Sequence, residues 1–213
     1  MSVGEASQKF SSESHLSPKI FMEEVVLWIF LAATAVQLFF WLFIFSRLAF
    51  FREKINQQST IINPPVSVVI CAHNEAPNLR RNLHRILNQN YRCYEVLVVS
   101  HNSTDETKNV IEYLQRKHTH LSLLEINDGQ TGKKFALAKG IEQAKNQVLL
   151  LTDADCVPDS DNWISEMVAG MDENTQIVLG VAPYEKAPSP LNMFIRFEAC
   201  YTAMQYLSFA LAG

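Results

Sequence analysis

From Val25 to Phe45 the chain reads VVLWIFLAATAVQLFFWLFIF, and Thr34 and Gln37 are its only polar residues. At ~1.5 Å rise per residue a helix of that length reaches about 30 Å, the thickness of bilayer hydrocarbon. No polar face recurs at helical spacing, which argues against the helix of a soluble core. The run is also too long for a signal-peptide core, and its N-terminal flank, Glu23 and Glu24, is acidic where such a peptide carries Lys or Arg. One transmembrane helix over residues 23–47 is therefore expected, with Trp28 and Trp41 at interfacial depths. Arg47, Arg52 and Lys54 follow it closely, whereas Lys9 and Lys19 are sparser before it. By the positive-inside rule the chain is a single-pass membrane protein whose C-terminal portion is cytoplasmic.

The remainder divides by composition. Residues 1–22 are polar and Ser-rich and read as a flexible tail, and residues 48–63 read as a linker that gives way to Pro64 and Pro65. Residues 64–190 then suffice for one domain, and 191–213 form an aromatic-rich segment expected as an apolar or amphipathic helix. A net charge of −4 without a block of like charges leaves no basic stripe, so nucleic acid is excluded as a partner. Cys71, Cys93, Cys156 and Cys200 have neither zinc-ligand nor disulfide-framework spacing and read as reduced thiols.

Within the domain, short β-branched runs alternate with amphipathic stretches. The runs are Val66 to Cys71, Glu95 to Val99, Leu121 to Ile126, Val148 to Leu151 and Ile177 to Val181. Leu79, Leu83, Ile86 and Leu87 make one helical stripe, and Val110, Ile111 and Leu114 another. Ser103 and Glu106 have capping-box spacing at the start of the second helix. A third helix, Lys133 to Asn146, is expected to turn Ala138, Ile141 and Ala144 inward, with Gly140 permitting close approach. The pattern predicts an α/β fold: a mostly parallel sheet with right-handed crossovers and helices on both faces.

In such sheets ligands gather beyond the carboxyl ends of the strands. Polar clusters stand at four of those ends: Ala72, His73, Asn74 and Glu75; Ser100, His101, Asn102 and Ser103; Asp128 and Gly129; and Thr152, Asp153, Ala154 and Asp155. Asp153 and Asp155, two apart in an extended segment, would share a side and offer oxygen ligands suited to Mg2+ or Mn2+. The plainer alternative, that they only turn the chain, stays open. Gly129 to Lys134 superficially suggests a phosphate loop, but the glycines are too close and no Ser or Thr follows the lysine. Lys133 at a helix start still suits a phosphate, as it suits a solvated surface.

Together the segments PPVSVVICAHNEAPNL, LVVSHNSTDET, GKKFALAKGIEQAK and LLLTDADC resemble, in order and spacing, the motifs of family 2 glycosyltransferases, which have the Rossmann-like GT-A fold. The resemblance covers about residues 64 to 185. It implies a nucleotide-sugar site at Ala72, His73, Asn74, Glu75, Ser100, His101, Lys133 and Asp153, and a DxD metal site at Asp153 and Asp155. It further implies transfer, with inversion, of a sugar from a UDP- or GDP-sugar to a membrane lipid or polysaccharide acceptor.

Two departures qualify that expectation. Where the family carries an Asp pair after the second strand, this chain has Ser100 and His101, and Asp105 is better placed to serve the helix start than a base. The acceptor section and catalytic base of the family are not recognisable before Gly213, and neither Glu185 nor Glu198 is marked as a base. The chain reads as truncated relative to the family. The competing expectation is a membrane-tethered nucleotide-sugar-binding or regulatory module without turnover. A dinucleotide dehydrogenase is disfavoured because no GxGxxG follows the first strand.

Overall fold

The computed structural model describes residues 18–51, 63–127, 132–172 and 175–212, with side chains from Phe21 onward in the first stretch. The chain divides into two compact units, residues 1–55 with 183–213, and residues 56–182. Most of the expected tail and linker, together with Asp128 and Gly129, lies outside the described residues.

In the first unit, α1 (Pro18–Phe39) continues through a π-helical turn (Phe40–Phe45) into α2 (Ser46–Phe50). Helix thus occupies the last residues assigned to the tail and the first assigned to the linker. Over Phe21–Phe50 it is long and apolar enough to cross a membrane. A further helix of this unit spans Pro190–Ala210.

The second unit is built on β1 (Val66–Ala72), β2 (Tyr94–His101), β3 (Leu121–Ile126) and β4 (Val148–Asp153). All pairings are parallel, in the order β3-β2-β1-β4. The helices between them are α3 (Ala76–Leu87), α4 (Thr107–Gln115) and α5 (Lys133–Gln143), and α6 (Trp163–Ala169) follows β4. Side-chain alternation sorts the core. Val66, Val68, Ile70 and Ala72 of β1 face Leu79, Leu83, Ile86 and Leu87 of α3, Val110 and Ile111 of α4, and Ile164 of α6. Val69 of β1 and Leu97 and Val99 of β2 face α5. Full burial of Ile70, Leu79, Leu83, Ile86 and Ile111 contributes about 1.5–3 kcal/mol each.

The two faces follow from chain direction. From β1 through β2 to β3 the chain steps one way across the sheet with α3 and α4 on one face. It then returns past β1 to β4, and a right-handed crossover in the reverse direction requires α5 on the opposite face. The order therefore reverses between β1 and β4, which makes that junction the switch point of the sheet.

Three local expectations are corrected. Ile177 to Val181 is not a strand: no described strand pairs with it, and Ile177 and Leu179 are 76% and 83% exposed. Val178 lies beside Gly170, and Gly180 beside Met167, at the end of α6; β-branched composition forms a strand only where a neighbour supplies the ladder. In α5, Ala138 and Ile141 point to solvent, while Ala136 and Gly140 face the sheet. Gly140 sets that face, since a Cβ there would stand 2.7 Å from Val69 and 2.8 Å from Val99. The helix ends at Gln143, short of Asn146. The Ser103–Glu106 capping box is also absent, because α4 begins only at Thr107 and Glu106 pairs with Arg80 at 3.0 Å.

The amino ends of the strands carry a buried carboxylate. Glu95 accepts from Ser67 Oγ at 2.6 Å and from the Lys145 backbone N–H at 2.7 Å, and the Lys145 ammonium lies 3.3 Å from its other oxygen. Asn146 N–H donates to Ser67 Oγ at 3.1 Å. Burial pushes the Glu95 carboxyl up, but the hydrogen bonds from Ser67 and Lys145 outweigh it and hold the group below the usual carboxylate range. This cluster fixes the approach to β4 against the starts of β1 and β2.

Candidate functional site

The carboxyl ends of β2, β1 and β4 stand side by side, with Ala72 in register with Ser100 and Cys71 with Asp153. Around them the chain makes two separate arrangements.

The first joins the loop after β1 to the loop after β2. Asn74 and Asn102 adopt left-handed backbone conformations, with φ of 57° and 49°, which asparagine tolerates better than most residues. Asn74 Oδ1 accepts from Thr104 N–H at 2.8 Å and Asp105 N–H at 3.3 Å, and its own N–H donates to Ser103 Oγ at 3.2 Å. Asp105 accepts from Thr107 N–H at 3.0 Å through one oxygen and from Ala76 N–H at 3.1 Å through the other. One carboxylate thereby satisfies the first turns of both α3 and α4, which bears out the helix-start role read for it. Desolvation pushes the Asp105 carboxyl up, but the bonds from Thr107 and Ala76 hold it below its ordinary value. Glu75 donates its N–H to Thr107 Oγ1 at 3.0 Å, and its carboxylate accepts from Asn78 at 2.7 Å. Asn74 and the Glu75 backbone are thus tied to the β2–α4 connection, while the Glu75 carboxylate is met by Asn78 of α3.

His73 stays exposed beside this clasp, its Nδ1 2.8 Å from the carbonyl oxygen of His101. A carbonyl only accepts, so Nδ1 carries a proton toward it, and Nε2 faces the Asn74 side-chain amide at 3.5 Å. Ser100 and His101 are 2% and 7% exposed. Ser100 Oγ pairs with Ser103 Oγ at 3.0 Å, and the His101 ring lies 6.0 Å from that of Phe135 in α5. Ala72 is also buried. Of the two strand-end clusters, His73 and Asn74 are therefore the exposed residues, with the Asn74 amide 3.5 Å from His73 Nε2.

The second arrangement lies at the switch point. Asp153 closes β4, and the chain turns at once, with Cys156 N–H donating to the Asp153 carbonyl at 3.2 Å. Asp153 and Asp155 therefore do not share a side by strand alternation as expected, because Asp155 lies beyond the extended segment. The turn reaches a similar result differently: Ala154 is buried in the core, and both aspartates are left toward solvent. Asn82 of α3, 2% exposed, holds the turn by donating toward the carbonyls of Ala154 and Asp155, both at 3.4 Å. Its sequence signal was a polar residue inside the Leu79–Leu83–Ile86 stripe.

Lys133, at the first turn of α5, places its ammonium 2.6 Å from Asp153 Oδ1. The hydrogen bond to Asp153 raises the lysine's pKa above its ordinary value, with smaller contributions from the charge of Asp153, from Cys71 and from Asp155. Burial raises the Cys71 thiol, against the pull of Lys133. Lys133, Asp153, Asp155 and Cys71 thus share one electrostatic neighbourhood. Gly132, just before α5, has φ of 128°, a value that disfavours other residues there.

Among the described residues no three His, Cys, Asp or Glu side chains converge on a point. A hard divalent cation held jointly with a diphosphate needs only one or two carboxylates, since phosphate oxygens and water complete its shell. Asp153 and Asp155 are the residues that could offer such carboxylates, and their oxygen chemistry is of the kind Mg2+ or Mn2+ takes.

The chain is similar to known proteins. Over 108 residues the chain is 37% identical to Glycosyltransferase AglE of Haloferax volcanii, a match covering 50% of this chain and 35% of AglE. It is 30% identical over 146 residues to the probable glycosyltransferase YdaM of Bacillus subtilis, covering 66% of this chain and 32% of YdaM. The chain thus spans about a third of the length of these curated relatives. Among solved structures, the mannosyltransferase PcManGT of Pyrobaculum calidifontis, in complex with GDP-Man and Mn2+, superimposes with a TM-score of 0.59 at 27% identity, covering 68% of this chain and 44% of that one. The parallel sheet accordingly has the GT-A form expected of it. The profile of glycosyl transferase family 2 matches residues 67–208, from β1 into the last helix, and the chain belongs to that family.

Proposed function

We propose that this chain is the membrane-anchored, donor-binding part of a glycosyltransferase that moves a sugar, with inversion, from a UDP- or GDP-sugar to a membrane-associated lipid or polysaccharide acceptor. The observation that carries this reading is the placement of an acidic pair and a lysine at the switch point between β1 and β4. Donor binding draws support from the GDP-Man and Mn2+ of the mannosyltransferase it resembles. The Phe21–Phe50 helix supports a membrane location, and Arg47, Arg52 and Lys54 after it support a cytoplasmic catalytic side.

Asp153 and Asp155 are the residues that would hold the divalent cation. When bound, that cation neutralises charge growing on the departing diphosphate. Lys133 adds a second positive charge at a helix start, where phosphate is favoured by the N-terminal dipole. Its ion pair with Asp153 keeps the ammonium positioned before any ligand arrives. His73 stands exposed at the rim with its ring held by the bond from Nδ1 to the His101 carbonyl, a flat surface on which a nucleobase can rest. The Asn74–Asp105 clasp holds the loop under it in one conformation, so little ordering is left for binding.

Titrating the full chain in detergent with GDP-mannose and UDP-N-acetylglucosamine, with and without Mn2+, tests the reading. Tighter binding of at least one donor with Mn2+ is expected, with Asp155→Asn removing about tenfold of that gain, or ~1.4 kcal/mol. Binding that ignores both Mn2+ and the substitution would overturn it.

A further inference from the structure

The helix Pro190–Ala210, here α7, carries PLNMFIRFEACYTAMQYLSFA. Its start is defined locally: Ser189 Oγ accepts from Asn192 N–H at 3.1 Å, and the Asn192 side chain accepts from Ala187 N–H and donates to the Glu185 carbonyl. Leu191, Met193, Phe194, Phe197, Tyr206 and Phe209 are 50–72% exposed, and at ~100° per residue Leu191, Phe194 and Phe197 lie within about 120° of one another on one side of the axis. In water so large an apolar surface is a liability.

Where α7 is attached shows what covers it. It packs on the C-terminal end of the long apolar helix in the same compact unit. The Phe209 ring lies 6.1 Å from that of Phe40, and the Tyr201 ring 6.3 Å from that of Phe45. Arg47 donates to the Leu211 carbonyl at 3.0 Å. Phe45 and Ser208 are buried at this crossing, and the small serine permits close approach. These contacts fall in the second half of Phe21–Phe50, toward the level where such a span leaves the hydrocarbon and reaches its first arginine. The rest of the long helix is itself apolar and exposed, so the surface of α7 continues a surface already suited to lipid.

We infer that α7 is a second membrane element, an in-plane helix lying at the boundary between acyl chains and headgroups, with Leu191, Phe194 and Phe197 immersed in lipid. Its tyrosines suit that depth. The sheet unit, residues 56–182, is then tethered to the bilayer at both of its chain ends. The inference rests on the reading of Phe21–Phe50 as a membrane span.

The test uses the full chain in bilayers of phosphatidylcholine and phosphatidylglycerol, with the four cysteines replaced by serine and single nitroxide labels introduced. The label sites are Phe194→Cys and Phe197→Cys on α7, Leu31→Cys in the span and Tyr113→Cys on exposed α4, and circular dichroism checks folding. Collision with oxygen relative to a water-soluble nickel complex reports depth. The expected result is strong oxygen preference at Leu31, intermediate preference at Phe194 and Phe197, and nickel preference at Tyr113. Labels on α7 that behave like Tyr113, or that are shielded from both reagents by a protein partner or a second copy, overturn the inference while leaving the span intact. A Leu31 label open to nickel overturns the membrane reading and the inference with it.

Discussion

The two ends of the parallel sheet use carboxylates in opposite ways. At the amino ends Glu95 is 9% exposed and enclosed by a hydroxyl, a backbone N–H and an ammonium. At the carboxyl ends the Asp153 side chain is 49% exposed and is met by one flexible lysine that is itself 63% exposed. A buried acid with its acceptors filled holds elements in place; an open acid with spare acceptor capacity is available to a ligand. Each end pairs a carboxylate with a lysine, so it is burial and partner number that separate scaffold from site.

Breaking the closed end has the largest expected effect. Glu95→Ala leaves the Ser67 hydroxyl and the Lys145 N–H without their acceptor and lowers stability by about 3 kcal/mol, read as a shift in the denaturant midpoint, while the folded fraction keeps its nucleotide affinity. Acid sharpens the same contrast. Because the folded Glu95 carboxyl is held below its ordinary value of 4.5, its contribution is complete above that pH and is lost as pH falls through the depressed folded value. Glu95→Gln should therefore flatten the acid limb of a stability profile. The smallest effect on stability belongs to the open end: Lys133→Ala breaks an exposed ion pair and should change stability by less than about 1 kcal/mol while weakening donor binding. Equal destabilisation by Glu95→Ala and Lys133→Ala would erase the distinction.

Much of the closed architecture could be read from residue types. Four strands fell where β-branched runs predicted them, because the sheet is buried on both faces and needs continuous apolar residues. The α3 and α4 stripes were equally legible. The face of α5 was legible only in part: Gly140 and Ala144 pack inward as expected, whereas Ala138 and Ile141 do not, since Ala and Ile are acceptable inward residues at any position around the helix. Ile177 to Val181 had the composition of a strand but no ladder to join. At the site, the Asp153–Asp155 pair and Lys133 stood out one by one, whereas their meeting depends on a crossover that brings residues twenty apart together. Glu95 went unremarked because one acid at a strand start carries no pattern; Ser67 opposite it in register was the missing half of the signal.

The shared use of Asp105 has a mechanical corollary. Since a single side chain terminates the amide groups of two helices, and Asn74 reaches back to the same few residues, the turns after β1 and β2 form one hinge-free block. Displacing either helix start strains the other, so motion at this rim is concerted. Any swap of this corner between related proteins succeeds only when both turns are transplanted as a pair.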